Sequence, residues 1–340
     1  MKIIIEGYNK SIHKRDNQLL IMEKEIEIDK VNINKIDDIT IVGKGLITFD
    51  ALRLISKNNI PVISIDYFGN IDYLLEYPNE TNIFIKKRQY KLSDDYNGLY
   101  LAREIISAKL LNQKACIRTL NKNKNLDHVK DSIIKIDEYL NQLKNMRFGP
   151  NINVENSKLK IMGIEGKAST EYWSSISKLL PSNLGFKKRI NRHPTDITNA
   201  MLNYAYAILA SEVAKILVLN GLDSFCGFLH FDRDKRNSLI FDVIEEFRQQ
   251  IVDKVVFSLL NTKQIGSSDL DNRNNTIKLD KRKLIVSKIL DKLNSRIKYM
   301  DKNLTYLEII DLQVKQIIEY ILNGILLTKA VQSDSAIFRA

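Results

Sequence analysis

The first 75 residues alternate short apolar runs with polar residues and turns, as β-strands do. The runs predict strands at 2–6, 18–22, 39–42, 62–65 and 74–77. Between them, residues 48–57 carry Leu52, Leu54 and Ile55 close to helical spacing, which predicts one short helix. The pattern therefore predicts a small β-rich N-terminal domain over residues 1–80.

From about residue 82 the apolar residues recur with the 3.6-residue period of an α-helix. This period predicts helices at 83–120, 128–146, 169–180, 196–219, 281–297 and 304–325, and a further helix after residue 238. Loops are predicted at 147–158 and 181–194. We therefore expect an α+β protein in which the small β-rich domain is followed by a larger all-α catalytic domain over residues 81–330. Residues 331–340 are expected to be a flexible tail.

Charge narrows the class of partner. The 340 residues include 52 Lys and Arg against 41 Asp and Glu, a formal net charge of +11. Such an excess favours a polyanionic partner, nucleic acid before membrane. The two cysteines, Cys116 and Cys226, are expected to be buried reduced thiols, because they are too few for a disulfide framework or a zinc cluster.

The N-terminus has an apolar run too short for a signal peptide. No run is expected to approach the ~20 apolar residues of a membrane span. These patterns predict a cytoplasmic protein.

Candidate chemistry is concentrated in the stretch 227–248. His230 is followed by a basic loop at 233–236 and by Ser238, the expected N-cap of an amphipathic helix. Asp242 and Glu245 are three residues apart on one helix face, with Glu246 beside them. The residues expected to face the core are Leu239, Ile240, Val243, Ile244, Phe247 and Ile251. An imidazole with two or three carboxylates suits Mg²⁺ or Mn²⁺, although a solvated acidic face is the commoner meaning of such a stretch taken alone.

A further acid, Glu165, lies between Gly163 and Gly166. The sequence is interpreted as a turn just before a helix, where a carboxylate could add a third metal ligand from a separate element. A turn with a solvent-facing glutamate is the alternative, and for this segment alone the favoured one.

Four cations lie in a short loop after residue 186, which predicts phosphate binding or, equally, a solvated basic loop. They are Lys187, Lys188, Arg189 and Arg192. His193 precedes Pro194 and is expected to be extended. We do not interpret it as a metal ligand.

Taken together, these segments resemble the CRISPR-associated spacer-acquisition endonuclease/integrases, the Cas-one family. The resemblance covers nearly the whole chain. It is carried by Asn59-Ile60-Pro61-Val62, Asp66-Tyr67-Phe68-Gly69, Arg88-Gln89-Tyr90, the run 108–113, Glu165-Gly166-Lys167-Ala168, the run 191–206, Gly227-Phe228-Leu229-His230 and the run 238–248. Each motif is weak alone, but their order along the chain is specific.

The resemblance implies that Glu165, His230 and Glu245 are the catalytic residues and the ligands of Mg²⁺ or Mn²⁺. It places Asp242 beside the site as an auxiliary acid. Phosphate contacts are expected from Lys187, Lys188, Arg189, Arg192, Arg233 and Arg236. Thr195 and Gln249 depart from prolines that are frequent in the family, which affects local loop shape rather than the ligand set.

Function is implied in the same way. The family inserts short DNA duplexes into a CRISPR repeat array by attack of a 3′-hydroxyl on a phosphodiester. Its members form two-lobed homodimers, for which the N-terminal domain is the expected interface, and act with a small ferredoxin-like Cas-two protein on double-stranded DNA.

Two alternatives remain open from the sequence. One is a transposon-borne homologue acting as a transposase, which we rank lower because such proteins usually carry an extra DNA-binding domain and this chain ends at residue 340. The other is a non-catalytic DNA-binding subunit with a degenerate site. The presence of all the acids and the histidine argues against this second alternative.

Overall fold

Two folding units divide the chain, Met1–Thr81 and Asn82–Ala340. The structure is a computed structural model and describes residues 1–65, 71–75, 83–231, 237–271 and 275–324. The first unit is rich in strands and the second is mostly helical. This confirms the predicted α+β fold class.

In the first unit, two four-stranded sheets form around an isoleucine-rich core. The elements are β1 (Lys2–Glu6), β2 (Lys10–Arg15), β3 (Gln18–Glu23), β4 (Ile26–Asn32), β5 (Asp38–Val42), β6 (Gly45–Ile47), α1 (Phe49–Lys57), β7 (Val62–Ile65) and β8 (Ile71–Leu75). One sheet has the order β1-β5-β7-β8, with only β7–β8 antiparallel; the other has the order β4-β3-β2-β6, with only β2–β6 parallel. Ile33, Ile39 and Ile55 are fully buried in the core.

The strands that the sequence pattern missed are the polar ones. β4 exposes most of its residues and β2 ends in exposed Lys14 and Arg15, so neither shows a clear apolar run. β6 is only three residues long. The helix predicted at 48–57 is α1, capped by the Thr48 side chain, which accepts from the Ala51 N–H. The strand predicted at 74–77 lies partly outside the described residues.

The second unit is built from helices, with two short hairpins that the sequence did not predict. The helices are α2 (Ile83–Ser93), α3 (Tyr96–Asn121), α4 (Asp127–Asn145), α5 (Val154–Leu179), α6 (Ile197–Leu219), α7 (Ser238–Ile244), α8 (Lys254–Asn261), α9 (Leu279–Asn294) and α10 (Tyr306–Asn323). The hairpins pair β9 (Leu270–Asp271) with β10 (Thr276–Ile277), and β11 (Arg296–Tyr299) with β12 (Lys302–Thr305). A wider π-helical turn, Arg248–Asp253, precedes α8.

Two helix boundaries differ from the prediction. The single helix expected at 83–120 is divided, because Asp95 leaves the helical conformation and caps α3 by accepting from the Asn97 N–H. The helix expected at 169–180 begins at Val154, where the Asn153 side chain accepts from the Asn156 N–H. The first half of this helix therefore covers part of the loop predicted at 147–158. It also covers the whole of the turn predicted around Glu165.

The centre of the helical unit is α6. By length and hydropathy α6 could cross a membrane, so the expectation that no run comes close is wrong on that measure. Of its most apolar window, 78% is buried inside the unit, as expected for a core helix. Both cysteines are buried, and neither forms a disulfide. The predicted tail at 331–340 lies outside the described residues.

Candidate active site

Glu165 and Glu245 are brought together by one ammonium group. Lys109 on α3 makes ion pairs with Glu165 Oε1 on α5 and with Glu245 Oε2, the latter at 2.7 Å. Glu165 lies in the middle of α5, so the interpretation of a turn before a helix is wrong. A Cβ added at Gly163 or Gly166 would meet nothing within 4 Å, so these glycines serve no close approach there.

The Glu245 carboxylate is held ionised by its neighbours. Burial acts to raise its pKa, but the charges of Arg248, Lys109 and His230 outweigh burial and lower the pKa to about 2. Arg248 Nη1 lies 3.3 Å from Oε1. Lys109 Nζ contacts the other oxygen, Oε2, and also stabilises the ionised form of this carboxyl.

His230 is oriented by Asp242 and not by the glutamates. Asp242 Oδ1 accepts from His230 Nδ1 at 2.5 Å and from the His230 backbone N–H at 3.2 Å. Oδ2 accepts from the N–H groups of Phe228 and Leu229 at 2.6 and 2.9 Å. Because Nδ1–H donates to Asp242, Nε2 has a lone pair for a metal ion when the ring is neutral and carries a second N–H when the ring is protonated.

Gly227 is required by this arrangement. A Cβ at this position would come within 2.8 Å of Asp242 Oδ2 and within 2.8 Å of Ser238 Cβ. Ser238 is the first residue of α7 and donates to the Phe231 carbonyl; the N-cap is Asn237, not Ser238 as predicted. The six apolar residues predicted to face the core in this stretch are all buried.

Asp242 and Glu245 therefore serve different groups, although they are three residues apart. Asp242 lies within α7, whereas Glu245 follows its last residue, and Asp242 acts as a partner of His230. Glu246 lies in a different environment from both of them, near Glu104. Burial, with a smaller contribution from the nearby Glu104, raises the pKa of its carboxyl to about 8. Glu246 is thus mostly protonated at neutral pH and is a poor metal ligand.

A polar stripe on α3 joins the elements that carry the acids. Gln113 Nε2 donates to Ser169 Oγ, which in turn donates to Glu165 Oε1 at 2.7 Å. One residue earlier, Asn112 Nδ2 donates to the Glu246 carbonyl at 2.7 Å and its Oδ1 accepts from Gln250. The stripe Lys109, Asn112 and Gln113 therefore fixes both glutamates relative to α3.

A metal ion fits the chemistry of this donor set. Two carboxylates and an imidazole with a free Nε2 are ligands suited to Mg²⁺ or Mn²⁺. Oε2 of Glu245 and Oε1 of Glu165, which both contact the Lys109 ammonium, are oxygens of the kind that a metal ion would use. Within the described ranges, however, no three His, Cys, Asp or Glu side chains already form a metal-binding group.

The cations predicted to bind phosphate do not all point to solvent. Lys187, Lys188 and Arg192 are exposed. Arg189 donates to Asn199 Oδ1 and Asn203 Oδ1 and lies over the rings of Trp173 and Tyr206. It therefore holds the loop on the α6 helix.

Two loop predictions have different outcomes. His193 has a φ of +50°, in the left-handed region, so the expectation of extended backbone is wrong. Arg233 and Arg236 lie outside the described residues.

A buried hub behind the site was missed by sequence reasoning. Asp253 is fully buried and accepts from the hydroxyls of Tyr172, at 2.5 Å, and Tyr206. Burial raises the pKa of Asp253 to about 6. Arg248 lies over the Tyr206 ring, 4.8 Å from its centroid, and so connects the hub to Glu245. The π-helical turn shifts Asp253 away from the position that a regular α-helix would give it. The spacing of apolar residues does not indicate such a turn, so the sequence did not predict where Asp253 lies.

Lys109 and Arg248 were also missed as site residues. Both lie in motifs that carried the resemblance, but they were given no role. Lys109 could have been recognised from its position within the strongly apolar face of α3, because a buried charge needs a partner of opposite sign.

A carboxylate and imidazole cluster in a basic helical domain is an arrangement suited to an enzyme that acts on nucleic acid. The family model for CRISPR associated protein Cas1 matches residues 3–291. The chain is 64% identical over 324 residues to CRISPR-associated protein Cas1 3 of Methanobrevibacter ruminantium, which covers 95% of this chain and 97% of that one. It is 34% identical over 335 residues to CRISPR-associated endonuclease Cas1 1 of Archaeoglobus fulgidus, covering 94% and 96%. The chain belongs to the Cas1 family, which confirms the resemblance found in the sequence.

Solved structures agree with this membership. A casposase bound to an integration product matches with a TM-score of 0.80 and 28% identity over 95% of this chain and 91% of that one. A chain of a Cas6-RT-Cas1–Cas2 complex matches with a TM-score of 0.81 and 20% identity, over 95% of this chain and 35% of that one. The second likeness supports the fold alone.

Proposed function

We propose that the protein is a divalent-metal-dependent DNA endonuclease and integrase that inserts short duplexes into a CRISPR repeat array. One observation carries this proposal. Glu165 and Glu245, from separate elements, converge on one point beside a histidine whose Nδ1 is fixed by Asp242. The names of the relatives, a CRISPR-associated endonuclease and a casposase with its integration product, agree with this activity.

Glu165, Glu245 and Nε2 of His230 would hold Mg²⁺ or Mn²⁺, with Asp242 as the partner that orients the imidazole. When bound, the metal would polarise the scissile phosphate and stabilise the charge that develops there.

In the reaction, the 3′-hydroxyl of the incoming duplex would lose its proton to solvent as its oxygen forms a bond to phosphorus, while the bond to the leaving oxygen breaks and that oxygen takes a proton. If His230 does not bind the metal, it would be the donor of that second proton from a protonated Nε2, because Asp242 already orients its ring through Nδ1. Arg248 and Lys109 balance the carboxylate charge before DNA arrives.

DNA would be held by backbone contacts. Lys187, Lys188 and Arg192 are exposed on one loop and would bind phosphates, as would Arg233 and Arg236. Arg189 would act indirectly, because it fixes the loop to Asn199 and Asn203. Contacts of this kind set the register of DNA and do not select its sequence.

Assembly is part of the proposal. The N-terminal unit would form a homodimer, which is supported by exposed apolar side chains at Ile26, Leu46 and Phe49, the last 81% exposed. The small ferredoxin-like Cas2 protein would be the second partner, and the cytoplasm, where the array lies, the place of action.

The transposase alternative is favoured by the casposase match but is ranked second. Identity to that casposase is 28%, against 64% to the Methanobrevibacter ruminantium Cas1 protein. A target choice assay separates the two. A labelled duplex is offered with plasmids that differ only in a CRISPR repeat, and joining at the repeat boundaries supports our proposal. Equal joining to both plasmids would favour the transposase.

A further inference from the structure

The space between the two glutamates of the proposed metal centre is filled by a side chain of the protein itself. Lys109 is 8% exposed, and its Nζ contacts one oxygen of each glutamate. The contacting oxygens are Oε1 of Glu165 and Oε2 of Glu245. A metal ion bound between the two carboxylates at this point would take the place of the ammonium.

Lys109 is held in place by its helix. Its neighbours on the same face of α3, Asn112 and Gln113, are tied to the Glu246 carbonyl and to Ser169. These bonds fix the backbone of α3 against both elements that carry a glutamate. The ammonium can therefore leave the carboxylates by a change of its own side-chain conformation, without movement of α3.

The charges in this cluster are already balanced. Glu165 and Glu245 contribute two negative charges, and Lys109 and Arg248 contribute two positive ones. A divalent ion added to this cluster would leave an excess of two positive charges, and the withdrawal of one cation would halve that excess. Lys109 is the cation that bridges both carboxylates, whereas Arg248 contacts only Glu245.

We propose that Lys109 is a resident counter-cation of this centre, and that a divalent metal binds only by displacing its ammonium from Glu165 and Glu245. The inference rests on the proposed function, since it assumes that these glutamates are metal ligands. Lys109 would then set the metal affinity and keep the empty centre assembled.

The test measures Mn²⁺ binding to the full-length protein by isothermal titration calorimetry, without DNA. Lys109→Met removes the ammonium at similar chain length. Arg248→Met removes the same unit of charge beside Glu245 without removing the bridge. Lys114→Met, on the same helix and paired with Asp137 at 2.5 Å, is the control for loss of a lysine from α3.

Displacement predicts that Lys109→Met binds Mn²⁺ about tenfold more tightly than the wild type, equivalent to ~1.4 kcal/mol. Arg248→Met should show a smaller gain and Lys114→Met none. Equal gains in Lys109→Met and Arg248→Met would show a general charge effect and overturn the proposal. Weaker or unchanged binding in Lys109→Met would also overturn it, while leaving the metal centre intact. If neither the wild type nor Lys109→Met binds Mn²⁺, the metal centre itself is refuted together with the inference.

Lys109→Met leaves two like charges facing each other, so its stability is measured in parallel. In chelator its melting temperature should fall below that of Lys114→Met, and Mn²⁺ should restore it. If the variant does not fold in chelator, Lys109→Met/Glu165→Gln removes one charge of each sign, should fold there and is compared with Glu165→Gln. Displacement predicts tighter Mn²⁺ binding by the double variant than by Glu165→Gln, whereas equal or weaker binding contradicts the proposal.

Discussion

Asp242→Asn tests how the histidine of the site is held. The wild-type carboxylate is fully buried and accepts two hydrogen bonds on each oxygen, from Phe228 and Leu229 on one side and from two groups of His230 on the other. An amide has a single acceptor oxygen. Whichever way it turns, its NH₂ group faces two donors and two of the four bonds are lost.

The cost follows from these bonds. A hydrogen bond to a charged group contributes ~1.5–3 kcal/mol, so losing two of them should lower the free energy of unfolding by about 3–6 kcal/mol. In a unit of this size the melting temperature should fall by roughly 10 °C. If the amide nitrogen faces the imidazole, Nδ1 becomes an acceptor and Nε2 loses its lone pair, so strand joining should fail even in the folded fraction.

Urea unfolding followed by circular dichroism measures the first effect, and a strand-joining assay on folded protein measures the second. Asp291→Asn, at a 66% exposed side chain, is the control and should change neither. An Asp242→Asn protein with unchanged stability and full joining activity would refute the assigned geometry.

Three further predictions follow from the same structure. Glu165→Ala and His230→Ala should abolish strand joining yet keep wild-type circular dichroism, since neither side chain belongs to the apolar core; loss of the folded signal would make them structural. Burial raises the pKa of Asp253 to about 6, from 3.8, so the protonated form favours the fold and a contribution of about 3 kcal/mol is lost as the pH rises from 4 to 7. When the free energy of unfolding in urea is measured at several pH values, Asp253→Asn should lack this loss. If its free energy of unfolding depends on pH as steeply as that of the wild type, Asp253 is not the group responsible. Finally, DNA affinity should weaken steeply with salt, and Lys187→Ser/Lys188→Ser should flatten the slope of log affinity against log salt by about 2; an unchanged slope would exclude these lysines as phosphate contacts.

The sequence predicted well those features that apolar periodicity reports. The change from strand to helix period near residue 82 gave the fold class, and the stripe from Leu239 to Ile251 gave the buried face of the catalytic segment. Polar strands such as Ile26–Asn32 were missed, because exposed edge strands carry little apolar signal. The helix around Glu165 was missed because two glycines mimic a turn.

The site was only partly accessible from the sequence. Ordered motifs located Glu165, His230 and Glu245, whose roles as ligands remain predictions. Spacing alone suggested that Asp242 and Glu245 act together. The structure assigns them to different partners, because Gly227 lets the backbone at 228–230 approach Asp242. Lys109 and Asp253 reach their partners across 47 to 136 residues of chain, a separation at which local pattern carries no information.

The most direct test of the central claim is an integration assay with Glu245→Gln. A short duplex with free 3′-hydroxyls is mixed with a supercoiled plasmid that carries a CRISPR repeat, with Cas2 present or absent, in Mg²⁺, Mn²⁺ or chelator. We expect the wild type to join strands only with a divalent metal, and Glu245→Gln to bind the duplex without joining it. Joining in chelator, or joining by Glu245→Gln at the wild-type rate, would contradict a metal-dependent site built on this carboxylate.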